Sequence, residues 1–77
     1  MHHENIREEM EVVGSDGKQI GTVEQIEGDD FIKLSNKGPS AGGKHHLIPV
    51  DWVDRVDQKV HLNKSAVEAI VQWQVAA

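Results

Sequence analysis

The sequence predicts a mainly β fold: a small, partly open barrel of about five to six short antiparallel strands over residues 10–62, followed by a helix over about 65–76, in a single domain spanning 1–77. Three observations carry this expectation. An Asp16-Gly17 pair sits between two β-rich runs, the strongest short-range hairpin signal, because Gly readily takes the positive φ that tight turns need and Asp tolerates it. Short apolar runs then recur between turn-forming segments. After Ser65 the apolar spacing changes from a strand-like to a helix-like period.

Residues 10–13 are the expected first strand and 18–26 the second, joined by the turn at 14–17. In the second strand Ile20, Val23 and Ile26 do not share one parity, although a regular strand sends alternate side chains to opposite faces. A bulge or bend near Gly21 would restore the register and supply a corner. The turn at 27–30 leads into a third strand at 31–34, where Ile32 and Leu34 alternate with Lys33. Residues 35–44 hold Gly38, Gly42, Gly43 and Pro39 with almost no apolar content, and so read as a loop, flexible by composition or functional. Residues 45–50 form a strand whose Pro49 belongs at an edge or a strand end, 51–57 a turn and short strand, and 59–62 a last strand with Val60 and Leu62 inward. Ser65 and Glu68 match a capping box, and Ala66, Val67, Ile70, Val71 and Trp73 fall near one helical stripe that should pack on the open end of the barrel or on another subunit. A short helical turn is expected at 5–9.

A chain of 77 residues buries only roughly 60% of the surface it exposes unfolded, so its core is marginal. With no cysteine, neither a disulfide nor a thiolate zinc site supplements that core, which leaves oligomerisation as a further route. No apolar run approaches the roughly 20 residues that span a bilayer, and the start lacks the regions of a signal peptide. The expectation is a soluble, cytoplasmic protein with no membrane span. Eight basic against thirteen acidic side chains give a net charge of −5, the wrong sign for a phosphate-binding surface, so direct nucleic-acid binding is disfavoured.

His45, His46 and His61 are the metal candidates, because neutral imidazole ligates zinc, copper or nickel. Adjacent strand residues point to opposite faces, however, so His45 and His46 cannot share one ion without distortion, and no HxH or HExxH spacing supports a site. Satisfied or exposed histidines are the simpler reading, and neither a metal nor a cofactor is expected. His2 and His3, native or added, are assigned no role. Asp51, Asp54 and Asp57 recur every third residue but lack the glycine pivot and terminal glutamate of a calcium loop; turn chemistry and pairing with Arg55 account for them. No carboxylate pair is placed in a cleft, no cysteine nucleophile exists, and no Gly-Lys-Ser/Thr run opens a helix. No catalytic residue is therefore expected. Trp52 reads as core. Trp73, with Ile70 on the same tail, is a candidate interaction residue, since aromatic side chains are enriched at interfaces.

The runs Gly14-x-Asp16-Gly17-x-x-Ile20-Gly21-x-Val23, His46-Leu47-Ile48-Pro49-Val50-x-Trp52-Val53 and Val60-x-Leu62-x-x-Ser65 together resemble a PRC-barrel domain, and more specifically small uncharacterised bacterial proteins related to that family, over roughly residues 6–70. PRC-barrel domains are compact, partly open barrels found at the end of a ribosome-maturation factor and in the cytoplasmic part of a photosynthetic reaction-centre subunit. The resemblance implies an interaction or assembly module, with no family-wide catalytic residues to carry over. The chain shows neither the fused partner domain nor the membrane anchor of the larger members, so their particular roles are not carried over.

Two functions follow as expectations. One is a non-catalytic protein-interaction module, a homodimer or higher oligomer, binding a partner of unknown identity through a strand edge, the 35–46 loop or the tail helix. The other is a small-ligand or metal-binding barrel using the region of His45, His46 and His61.

Overall fold

The expected hairpin starts the fold. A computed structural model describes residues 6–38 and 41–76. Strand β1 (Glu11–Val13) pairs antiparallel with β2 (Gln19–Glu27), with Gly17 at φ 82° in the turn between them. Val12 faces Gly21 while Val13 faces Gln19, which leaves Ile20 as an extra residue immediately before Gly21. A second irregularity lies where Val23 faces Leu34 and Gln25 faces Lys33, leaving Glu24 unpaired in the ladder. These two bulges resolve the broken parity of β2: Ile20 and Val23 are both buried, and Ile26 packs against the same core.

The meander continues through β3 (Phe31–Leu34) and β4 (His46–Pro49), each antiparallel to its predecessor. Pro49 ends its strand, where its missing N–H costs the ladder nothing. A short 3-10 turn (Val50–Trp52) leads into β5 (Val53–Val56), which forms a hairpin with β6 (Val60–Leu62). Helix α1 (Ala66–Gln72) follows, and then β7 (Gln74–Val75).

The sheet order is β5-β6-β1-β2-β3-β4-β7. Here the expected architecture is corrected: among the described residues the sheet has seven strands rather than five or six, it is mixed rather than antiparallel, and it does not close into a barrel. The mixed character comes from β6, which pairs parallel to β1 with Val12 opposite Val60. Closure would need a ladder between β5 and β7, but those strands lie at opposite ends and β7 pairs only with β4. The helix is the crossover that carries the chain from β6 to the far edge, and on its way it rests on β2. It stops at Gln72, short of the expected end near residue 76, because Trp73 turns extended (ψ 162°) and the tail joins the sheet.

Inside the curl of the sheet lie Val12, Ile20, Ile32, Leu34, Ile48, Val60 and Leu62, each almost fully buried. Ala66 and Ala69 seal one side of this core from the helix. The expected helical turn near residues 5–9 is a plain turn over its described part: Met10 N–H reaches Arg7 O at 3.3 Å, and Glu9 takes φ 68°. Residues 35–38 and 41–44 form turns, with Ala41 N–H donating to Gly38 O and Lys44 N–H to Ala41 O. Among the described residues no helix is long and apolar enough to cross a membrane.

Candidate interaction surface

The C-terminal segment is fixed at its start by the first hairpin. Ser65 Oγ accepts from Glu68 N–H at 3.2 Å, and the Glu68 carboxylate accepts from Ser65 N–H at 3.0 Å, completing the capping box. The Ser65 N–H, and then its hydroxyl, hold the Glu68 carboxyl below the usual glutamate range. Asp16 Oδ1 accepts both from Lys18 N–H within its own turn and, at 3.4 Å, from Ala66 N–H at the helix start. Ser15 N–H donates to Lys64 O at 2.7 Å. The turn that opens the fold is thus also the seat of the helix.

From this seat α1 turns Ala66 and Ala69 fully inward, with Ile70 and Trp73 half-buried against the core. Ile70 and Trp73, the interaction candidates of the sequence, are thus placed in packing against the core. Val67 and Val71, expected within the packing stripe, point outward instead, 65% and 77% exposed, four residues apart on one helical face. Val75, on β7, is 55% exposed. These three are the large apolar side chains most exposed among the described residues, and all lie in the last eleven positions of the chain. Between residues 66 and 76 the only ionisable side chain is Glu68, already engaged at the cap.

The two sheet ends differ in kind. Edge strand β5 carries Asp54 and Arg55, both exposed, and charge on an edge discourages strand pairing. Edge strand β7 carries Gln74 and Val75 and no charge.

The three candidate histidines lie in three different settings. His45 Nδ1–H donates to Leu34 O at 2.9 Å, since a carbonyl can only accept. His61 Nε2–H donates to Asp57 Oδ1 at 2.9 Å in the β5–β6 turn, where Asp57 also accepts from Lys59 N–H. The Lys59 N–H first, and His61 second, hold the Asp57 carboxyl below the usual aspartate range. His46 is 7% exposed and stacks on Trp73, ring centroids 4.0 Å apart and planes inclined by 15°. Its Nδ1 is buried with no hydrogen-bond partner among the described residues, and burial, reinforced by the charge of Lys44, lowers its pKa.

Strands β1, β2 and β3 separate the His61 strand from the His46 strand in the sheet, and among the described residues no three His, Asp or Glu side chains gather to hold a metal ion. Asp51 lies in the 3-10 turn, Asp54 on β5, and Asp57 in the hairpin turn beside Arg55 at 4.0 Å. His2 and His3 lie outside the described residues. Sequence reasoning missed the stack of His46 on Trp73. The available signal was parity: His46 stands two residues from Ile48, so it shares that core residue's face.

Compared with known families, the chain matches over residues 6–70 a model described as an uncharacterized protein conserved in bacteria (DUF2171). This overturns the expected kinship with PRC-barrel domains, whose quoted motifs answer to local needs that many folds share: a tight turn, a bulge, a proline at a strand end. No curated protein matches the chain. The matched stretch runs from buried Ile6 to half-buried Ile70 and takes in every strand from β1 to β6 and most of α1: the protein belongs to the DUF2171 family of bacterial proteins.

Proposed function

We propose that the chain is a non-catalytic interaction and assembly module whose partner is a second copy, docked through the outer face of α1 and the free edge of β7. The observation that carries this reading is the exposure of Val67, Val71 and Val75 on a segment with a single, already engaged charge. Two copies that each carry −5 repel, and they approach at least cost where that charge is thinnest. An uncharged edge strand adds main-chain donors and acceptors that a second strand satisfies. The cytoplasm is the proposed compartment, on the cysteine-free composition.

Sedimentation equilibrium over a wide concentration range tests the proposal. The wild type is expected to dimerise with concentration, and Val71→Glu to be monomeric with stability unchanged to within about 0.5 kcal/mol, as for an exposed position. A wild type that stays monomeric at the highest concentration, or a Val71→Glu variant that associates as the wild type does, overturns it.

A further inference from the structure

The last strand is held to the sheet by few contacts, and one of them is made by a buried imidazole, a group that can take up a proton. Strand β7 is two residues long, with both side chains exposed, and pairs with β4 through His46 opposite Val75 and Leu47 opposite Gln74. Ala76 N–H adds one bond to His45 O at 2.8 Å. The remaining anchor is Trp73, whose indole lies flat on the buried imidazole of His46.

That stack suits a neutral ring and not a charged one. In neutral imidazole the buried Nδ1 can stay an unprotonated acceptor, a modest loss when no donor reaches it. In imidazolium both nitrogens are donors, and the buried Nδ1–H finds no acceptor among the described residues, while the ring is largely withdrawn from water. Among the described residues the surroundings add no anion. The buried face of β3 carries Ile32 and Leu34, β4 adds Ile48, β7 brings Val75 and Gln74, and the end of α1 brings Trp73. Lys44, where the chain enters β4, is the one charged group among the described residues that acts on the ring, and it opposes protonation. The face of an indole attracts a cation, but it does not supply the missing acceptor.

We infer that the His46–Trp73 stack is an acid-released latch: protonation of His46 frees residues 73–76 from β4 while the rest of the sheet stays folded. Because β7 is part of the surface on which the proposed self-association rests, release also dismantles that surface; the latch itself does not depend on the second copy.

Hydrogen exchange and side-chain NMR on the full chain between pH 8 and 5 test it, following the Ala76 amide and the Trp73 indole, with the Val23 amide, bonded to Met10 O, as the core reference. After correction for intrinsic exchange, the opening constant of the tail is expected to rise by up to about tenfold per pH unit below about 6.5, while Val23 stays protected. In His46→Phe, which keeps a flat ring but cannot titrate, the tail is expected to stay closed throughout. A tail whose protection does not vary with pH, or a rise of equal size in His46→Phe, overturns the latch. Should that variant not fold, the wild type alone decides: tail opening must track the titration of the His46 ring, and opening that does not track it overturns the latch. A monomer whose tail opens in acid supports the latch and overturns self-association; a dimer whose tail ignores pH does the reverse.

Discussion

Gly14 and Gly17 share one turn and are required for different reasons. A Cβ on Gly14 would stand 2.4 Å from Ala66 N and 2.8 Å from Ser65 C, both backbone atoms at the start of α1, so the helix would have to move. Gly17 has nothing within 4 Å, but its φ of 82° strains any residue with a side chain. Gly14→Ala is therefore an overpacking change, expected to cost about 1–3 kcal/mol and to weaken the protection of the Ala66 amide. Gly17→Ala is a torsional change, expected to cost about 1 kcal/mol and to leave the helix seat intact, with Gly17→Asn milder still. Urea unfolding with amide exchange separates them; loss of Ala66 protection in Gly17→Ala but not in Gly14→Ala overturns the assignment. The turn itself was legible from Asp16 and Gly17, because its chemistry is local. That Asp16 also accepts from Ala66, fifty residues on, was not.

At the scale of elements, legibility followed sequence distance in the same way. Strand β3, the β1–β2 hairpin and the capping box rest on residues within a few positions of one another, and each was readable. Strand β7 was not, because its two residues have no strand signal of their own and take their conformation from β4, 28 residues earlier. The helix stripe was misread for another reason: Val67 and Val71 are as apolar as a buried face requires, but Ala66 and Ala69, being small, let the backbone approach β2. The sequence pointed to Ile70 and Trp73 in the tail as interaction candidates but did not say that Val67, Val71 and Val75 are the side chains that stay outside. A helix of seven residues is marginal in isolation, so its ends carry much of its stability. Ser65→Ala is expected to destabilise the protein by about 1 kcal/mol and to speed exchange at the Glu68 amide; Ser65→Asp, which can still accept from that amide, is expected to recover most of the loss. If Ser65→Ala leaves both urea midpoint and Glu68 exchange unchanged, the cap does not hold the helix.

For the whole molecule, β7 is, among the described strands, the one with no buried side chain, so its release would cost the core least, and this shapes how stability depends on pH. Burial makes His46 bind its proton more weakly in the folded chain than in the unfolded one. Its contribution is therefore complete above the ordinary histidine value of about 6.5, and stability falls as the pH drops below it, because the unfolded chain takes up the proton first. That loss is bounded, since a charged His46 can release the tail instead of unfolding the sheet, and it ends at the free energy that holds residues 73–76 in place. Asp57 and Glu68 act lower. The Lys59 and His61 donors on one, and the Ser65 donors on the other, depress their pKa values. Their contribution is complete above the unfolded carboxylate values near 4 and is lost as the pH falls through the folded ones. Urea midpoints between pH 8 and 2.5 should accordingly fall in two stages, the first starting near 6.5 and levelling off, the second setting in as the carboxylates titrate. In His46→Phe the first stage should be missing and the second unchanged. A wild type that loses nothing until the carboxylate range contradicts the role given to His46, whereas a first stage that never levels off means the sheet, and not the tail alone, depends on its charge.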